Sequence, residues 1–366
     1  MVVPIGRATV ASALLVAMSV ACGAGSAAIS SPPSFPTLVA LYRYDAGAPI
    51  GFRERGYSAG HELNEQAARD RKAWLARELG FEGARLLAKP RVLARIRVGS
   101  QPLGLEFGAG SIWSADFGSD DVARIDPQTN RVTAHVGVGA AVYGLAFGAG
   151  SLWVSAYDST YLNRIDPATN SVVARVDVGA EQAEVTATDD VVWVAVYGGG
   201  TVVKVDPKTN KVVARVHVGG KPEDVALFAG AVWVPNENGT LQRIDPATNA
   251  VVARIRVGAD PDYAVPCRGR LWVSDLAGAS IRLVDPARNR VTSRIKVGPG
   301  NVGIACGRSV WVATYYTGRL LRVNARKHKV SARLVLGGQP RSVVIAAGSV
   351  WVSQQRYGTV TRVRGS

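Results

Sequence analysis

The chain has 366 residues, 47% of them apolar, and a formal net charge of +15 at pH 7. A chain of this size can bury a large core as one big domain or two ordinary ones. The charge allows contact with anionic surfaces and says nothing about fold. No stretch after residue 28 is apolar enough to cross a bilayer, which excludes a membrane-spanning body.

The first residues have the pattern of a secretory signal. Arg7 precedes an apolar run over 8–21, and small residues follow over 22–28. The run is too short to span a bilayer comfortably, as in cleaved signals. We therefore predict a signal peptide over residues 1–28 and export of the rest to the cell envelope or the extracellular space.

Because of Cys22, the position at which this signal is cleaved has two alternatives. Val20-Ala21-Cys22-Gly23 resembles the end of bacterial lipoprotein signals, whose cysteine is acylated, although Ser19 stands where that pattern has an aliphatic residue. Lipid anchoring after cleavage at residue 21 and ordinary cleavage downstream remain alternatives. The anchor is the only membrane attachment that we expect.

Residues 29–90 are predicted to form an extension in front of the main domain. The stretch SSPPSFP over 30–36 is typical of a tether, because its prolines and serines neither pair nor pack. Apolar side chains recur at helical spacing over 61–79, and Gly80 follows as a stop signal. We expect one amphipathic helix there.

A repeat of about forty residues fills residues 91–366. Seven tryptophans recur in one apolar context with spacings of 39 or 40 residues: Trp113, Trp153, Trp193, Trp233, Trp272, Trp311 and Trp351. An Asp-Pro turn recurs in step at Asp126, Asp166, Asp206, Asp245 and Asp285, with a degenerate copy at Asn324-Ala325. Self-similarity of this period is typical of solenoids and propellers.

Each repeat contains four short strands. In 172–178, VVARVDV, apolar and polar residues alternate as in a strand with one buried face. The stretches 144–148, 151–155 and 161–165 supply three more strands, and the last leads into the turn DPATN. In that turn Asp accepts backbone N–H bonds, Pro presets φ, and Asn tolerates the left-handed region.

The count of strands predicts how the chain closes. The first repeat begins with an extra outer strand over 91–99, and the last repeat ends at 358–366 without one. We therefore predict an all-β fold, a seven-bladed β-propeller of four-stranded antiparallel blades, closed by the N-terminal strand pairing with the C-terminal blade. Such closure leaves no unpaired sheet edge at the termini.

The repeated residues carry a resemblance. The combination of WV, RIDPATN and VxVG resembles the YVTN-type bacterial propellers and the virginiamycin B lyase-like propellers over about residues 91–364. The resemblance implies a seven-bladed propeller. It implies activity only weakly, because one fold hosts many functions.

Positions shared by all repeats are predicted to be structural. The tryptophans should pack between neighbouring sheets. A basic position on the outer strands, occupied by Arg95, Arg175, Arg215, Arg254, Arg294 and Arg333, with His135 in the remaining slot, should form a solvated perimeter. Because these charges ring the domain and do not form one patch, we expect no nucleic acid partner.

Positions that differ between repeats are predicted to form the binding site. They lie on loops after the tryptophan strand and after the VG pair, at one mouth of the channel. Tyrosines supply apolar walls with a polar tip, and carboxylates form an arc opposite two arginines. The candidate ligand-binding residues are Tyr157, Tyr197, Glu184, Glu223, Asp224, Asp262, Tyr263, Tyr315, Tyr316, Arg341 and Arg356.

The function that we predict is an exported binding protein or scaffold. It recognises a small polar molecule, a peptide or an envelope component as a monomer and without a cofactor. One alternative is lyase-like, metal-assisted catalysis, which the resemblance implies through histidine and glutamate side chains near the channel. His135, His217 and His328 lie away from the predicted mouth, and no metal-ligand spacing or catalytic residue stands out. A second alternative is a structural platform for a partner.

Cys267 and Cys306 each precede a repeat tryptophan by five residues. They are therefore predicted to occupy equivalent positions at the ends of neighbouring innermost strands. A disulfide is allowed in an exported protein, provided that the Cα atoms lie within about 7 Å. A disulfide and two free buried thiols are the alternatives.

Overall fold

The computed structural model of the protein describes residues 89–139 and 141–365. The predicted signal peptide, Cys22, the tether and the helix of 61–79 lie outside these residues. Within the described ranges the chain forms 28 strands and one 3-10 turn, Gln355–Tyr357, and no α-helix. No helix of this part is therefore long and apolar enough to cross a membrane.

The strands are short, and most have six or seven residues. In chain order they are β1 Arg91–Arg97, β2 Pro102–Gly108, β3 Ser111–Asp116, β4 Asp121–Asp126, β5 Arg131–Gly137, β6 Val142–Gly148, β7 Ser151–Ala156, β8 Tyr161–Asp166, β9 Ser171–Asp177, β10 Gln182–Ala187, β11 Val192–Val196, β12 Thr201–Asp206, β13 Lys211–His217, β14 Ala226–Phe228, β15 Ala231–Asn236, β16 Thr240–Asp245, β17 Ala250–Arg256, β18 Pro261–Cys267, β19 Arg270–Asp275, β20 Ser280–Asp285, β21 Arg290–Lys296, β22 Asn301–Cys306, β23 Val310–Thr314, β24 Arg319–Asn324, β25 Lys329–Val335, β26 Pro340–Ala346, β27 Ser349–Gln354 and β28 Thr359–Arg364.

Consecutive strands pair into four-stranded antiparallel units, as the repeat predicted. The units are β2–β5, β6–β9, β10–β13, β14–β17, β18–β21, β22–β25, and β26–β28 together with β1. The units β18–β21 and β22–β25 are also joined, through the pairing of Asp275 with Asn301. This all-β architecture is consistent with a β-propeller.

The tryptophan strands lie in the core. All six residues of β7 are buried, whereas exposure alternates along the outer strand β9. Trp113 is fully buried and packs against Val142, Leu145 and Leu152 of the next unit. The structure therefore confirms that these indole rings pack between neighbouring sheets.

The Asp-Pro turns have the predicted hydrogen bonds. Asp126 Oδ1 accepts the backbone N–H of Gln128 at 2.7 Å, and its Oδ2 accepts the hydroxyl of Thr129 at 2.8 Å. Asn130 has φ 58°, the left-handed region that asparagine tolerates. This turn explains why Asp, Pro, Thr and Asn recur with the same spacing in most of the repeats.

An arginine links most of these turns to the preceding unit. Arg124 lies 4.9 Å from the centre of the Trp113 ring and donates to Pro167 O at 2.7 Å and Asn170 Oδ1 at 2.9 Å. The same pair of bonds is made by Arg164, Arg243 and Arg362. The repeated sequence therefore closes a hairpin and also connects neighbouring units.

The two ends of the described domain meet. β1 pairs antiparallel with β28, with Val92 opposite Val363 and Ile96 opposite Val360. Arg362 also bonds to Pro127 and Asn130 in the turn between β4 and β5. This is the pairing of terminal strands that the sequence predicted.

Cys267 and Cys306 form a disulfide, and their Cα atoms are 5.7 Å apart. The prediction that the two cysteines occupy equivalent positions is wrong, because their positions in the strand pairing differ by one residue. Cys267 pairs with Arg270, two residues before Trp272, whereas Cys306 pairs with Val310, one residue before Trp311. Because side chains alternate in direction along a strand, this shift lets the two sulfur atoms face each other between neighbouring sheets.

Replacing both cysteines by serine is expected to lower the free energy of unfolding by about 2–4 kcal/mol, because the bridge no longer restrains the unfolded chain. Urea unfolding of the double variant and of the parent, each with Cys22 also replaced, measures the difference. The parent treated with reductant should match the variant. Two titratable thiols in the native, unreduced parent would contradict the expectation.

Candidate functional site

The innermost strands share an interruption near their first residues. The pairing register shifts between Pro102 and Leu105 in β2, and the same shift recurs in β6, β10, β18, β22 and β26. Before β14, an isolated pairing of Pro222 with Asn236 is followed by regular pairing only from Ala226. A bulge of this kind re-aims side chains away from the regular sheet faces.

The polar side chains that distinguish the units lie in these interruptions. We call seven of them the bulge cluster: Tyr143, Glu184, Glu223, Asp224, Asp262, Tyr263 and Arg341. Six were predicted as site residues, but on loops. The structure corrects that placement, because Glu184, Asp262, Tyr263 and Arg341 belong to the innermost strands themselves.

Two hydrogen bonds connect strands that are not neighbours. The Tyr263 hydroxyl on β18 donates to Glu184 Oε1 on β10 at 2.5 Å, although β14 lies between these strands in chain order. Arg341 Nη2 on β26 donates to the Tyr143 hydroxyl on β6 at 2.7 Å, which bypasses β2. The innermost strands therefore converge on one space.

Two glycines beside the cluster leave room for its side chains and backbone. Gly144 follows Tyr143, and a Cβ there would lie 2.6 Å from Glu184 Oε2. A Cβ at Gly303 would lie 2.1 Å from Arg341 O. Any larger residue at these two positions would have to displace backbone or a site carboxylate.

Three tyrosine rings lead outward from the cluster. Tyr143 stacks on Tyr157 at 6.4 Å between ring centres, and Tyr157 lies 6.2 Å from Tyr197. Tyr197 donates its hydroxyl to Glu237, and Lys221 Nζ lies 4.7 Å from its ring centre. The predicted residues Tyr157 and Tyr197 thus join the bulge cluster to the loops after β7 and β11.

Burial raises the pKa of every carboxyl in the cluster. It raises the pKa of Glu184 to about 8, with the nearby Asp224 charge adding to it, and the pKa of Glu223 to about 8, with Asp262 adding to it. The pKa of Asp224 is raised to about 7 and that of Asp262 is also raised, both by burial. A buried carboxylate is unfavourable without a compensating cation, so the cluster holds protons near neutral pH.

Three predicted residues do not join the cluster. Tyr315 and Tyr316 pack edge to face at 5.4 Å, and Tyr316 is 64% exposed beside Gly300. Arg356 instead lines a cleft of about 710 Å³ near the junction of β1 and β28, together with Arg97 and Tyr357. Tyr315 packs instead in the core cluster of Val302 and Val343, and Arg356 N donates to Gly338 O.

Tyr143 is the one cluster residue that the sequence analysis missed. It lies ten residues before Trp153, and Glu223, Asp262 and Arg341 have the same spacing to their own tryptophans. Aligning the repeats on the tryptophans would have found it. Searching only the loops did not, because the bulge lies inside a strand.

The histidines of the described ranges lie outside the cluster. His135 lies near the end of the outer strand β5, and His217 is the last residue of the outer strand β13. His328 lies in the turn before β25. His135 Nδ1 lies 2.8 Å from Asp121 Oδ2. Asp116 completes the one group of described residues close enough to share a metal ion. However, the Asp116 carboxylate is buried and already accepts bonds from Gly99 N and Ser114 Oγ.

Comparison with known proteins bears on the fold. No protein-family model and no curated protein matches the chain in sequence. Kuenenia stuttgartiensis hydrazine synthase has a TM-score of 0.66 and 14% identity, over 76% of this chain and 97% of that one. A streptogramin B lyase structure has the same TM-score and identity, over 76% of this chain and 98% of that one. At this identity the likeness is one of fold, and it confirms the resemblance to virginiamycin B lyase-like propellers: the chain folds as a β-propeller of this kind.

Proposed function

We propose that the protein is a seven-bladed propeller that binds a small polar ligand in its channel, at the bulge cluster. The four-strand units supply seven blades, and β1 completes the last one. The innermost strands surround the channel, and the tyrosines at 157 and 197 form one wall of its mouth. Export, with or without a lipid anchor at Cys22, places this site in the envelope or outside the cell.

One observation carries the proposal: polar side chains from four innermost strands and from the segment before β14 converge on one space and bond across it, as Tyr263 does with Glu184 and Arg341 with Tyr143. Tyr143, Glu223, Tyr263 and Arg341 are only partly buried, so the cluster is not sealed from solvent. Few polar groups aimed into a recess with aromatic walls are typical of small-molecule sites.

The choice between binding and lyase-like catalysis follows from the same cluster. Streptogramin B lyase shares the fold at 14% identity, which supports no transfer of activity. Catalysis of the kind that the resemblance implies would use histidine, and the histidines of the described ranges lie outside the bulge cluster. Binding therefore remains the function that the geometry supports best.

Changing Glu223 to Gln together with Asp262 to Asn is expected to abolish ligand binding at pH 8.5, because the two amides keep the shape of the side chains and cannot carry the charge of the ionised carboxyls. Thermal shift against a panel of small polar metabolites and cell-wall peptides, followed by calorimetry, measures it. Asp177→Asn with Asp190→Asn, two exposed carboxylates elsewhere, is the matched control. If the double variant binds every ligand of the parent unchanged, the site is wrong.

A further inference from the structure

The bulge cluster has an excess of acidic groups. Glu184, Glu223 and Asp262 interact with one cation, Arg341, and Asp224 interacts with Asp262. Both carboxylate oxygens of Asp224 already have hydrogen-bond partners within the protein. They accept the backbone N–H groups of Val225 at 2.7 Å and Ala264 at 2.9 Å. Three carboxyls remain for one guanidinium.

One of these carboxyls has a free oxygen. Asp262 is 4% exposed, and its Oδ2 atom makes no hydrogen bond with any described residue. The Nε atom of Arg341, the cation that attracts Asp262, is also without a partner among these residues. A buried polar atom without a partner is unfavourable, and such atoms are explained by water, an ion or a ligand.

The arrangement suits an organic cation better than a metal ion. Within residues 89–139 and 141–365, the acidic oxygens close enough to share a metal are those of Asp116 and Asp121 with His135, and the bulge cluster is not among them. The cluster instead combines separated carboxyls with the ring of Tyr263, while Arg341 lies 5.7 Å from the ring centre of Tyr143. Aromatic faces beside carboxylates are the surroundings that favour ammonium groups.

We propose that the ligand of the bulge cluster is an organic cation bearing a primary ammonium group, which Glu223 and Asp262 hold. This deepens the proposed function and rests on it. The ammonium group supplies up to three N–H donors, one of which meets Asp262 Oδ2. An anion would have to approach the same carboxyls and is disfavoured by their charge.

Four ligands with the same four-carbon chain test this proposal by calorimetry on the full chain: putrescine, 4-aminobutyrate, butane-1,4-diol and succinate. The titrations are made at pH 8.5, where the raised pKa values still allow the carboxyls to ionise and both amines stay charged. Putrescine is expected to bind tightest, 4-aminobutyrate at least about tenfold more weakly, and the other two not measurably.

The variant Glu223→Gln/Asp262→Asn should lose putrescine binding by at least about tenfold, and the control Asp177→Asn/Asp190→Asn should keep it within about twofold. Thermal melts of both variants establish that they are folded. Putrescine that fails to bind the parent, or that binds the Glu223→Gln/Asp262→Asn variant unchanged, overturns the proposal.

The two proposals fail in different ways. If succinate or the diol binds the parent and the Glu223→Gln/Asp262→Asn variant loses this binding, the proposal of an organic cation is wrong. The proposal of a ligand site at the bulge cluster is then still supported. If neither these four ligands nor any in the wider panel distinguishes that variant from the parent, both proposals are wrong.

Discussion

Ile96→Asp is expected to lower the free energy of unfolding by about 3–5 kcal/mol. Ile96 on β1 is 6% exposed, lies opposite Val360 of β28 and packs in one cluster with Trp351. The change removes about 2 kcal/mol of apolar burial and also forces a carboxylate into that cluster. Either the acid is protonated there or β1 leaves the sheet, and both are unfavourable. Urea unfolding followed by tryptophan fluorescence measures the loss.

The control for this change lies on the same strand. Leu93 is 41% exposed, so Leu93→Asp should alter stability by less than about 0.5 kcal/mol. Equal stabilities of the two variants would mean that β1 does not complete the last sheet in solution. The comparison therefore tests the closure on which the proposed ring depends.

Glu184→Gln is expected to stabilise the protein at pH 8 and to change little at pH 4.5. Burial, with the Asp224 charge adding to it, raises the pKa of Glu184 from 4.5 to about 8 in the folded state. Between these two pH values the folded state therefore keeps a proton that the unfolded state releases. As a result, the free energy of unfolding falls as the pH rises from about 4.5 to 8. Glutamine imitates the protonated acid and does not titrate. The gain at pH 8 should be on the order of 3 kcal/mol.

Unfolding curves at pH 4.5, 6.5 and 8 test this expectation. Glu181→Gln is the matched control, since Glu181 lies three residues away and is exposed. Its difference from the parent should stay within about 0.5 kcal/mol at all three values of pH. A Glu184→Gln variant that unfolds like the parent at pH 8 would show that this carboxyl is not buried in an acidic cluster.

These expectations also bear on the ligand. A cluster of buried carboxyls lowers the stability of the folded state as the pH rises, because each must either keep its proton or remain poorly compensated. A bound cation would offset this loss, since any ligand that binds only the folded state stabilises it. Putrescine should therefore raise the melting temperature more at pH 8.5 than at pH 6, which links the stability of the cluster to its occupancy.

Much of the fold could be predicted from the repeat. The Asp-Pro turn at Asp126, the buried Trp113 and the pairing of β1 with β28 all follow from features written in every unit or missing from one end. Such features are local: a turn depends on the φ preferences of five residues, and a strand on period-two alternation. Because the sequence repeats, each of these local features recurs in the successive four-strand units.

The candidate site was predicted only in part. Residue types that depart from the repeat indicated Glu184, Glu223 and Asp262, although they were expected on loops. Tyr143 was missed, while Tyr316 and Arg356 were included and lie elsewhere. Which residues meet depends on where four separate strands interrupt their pairing and on the segment before β14.

The sequence by itself determined the four-strand unit and the strand that the two ends share, because the unit is set by contacts close in the chain and the shared strand by counting. The tertiary structure alone decided the direction of side chains at the bulges, the bonds across the space between innermost strands and the one-residue shift that brings Cys267 to Cys306. The physical reason is the period of a strand: a shift of one residue turns a side chain to the opposite face, and only the pairing of distant strands fixes that shift.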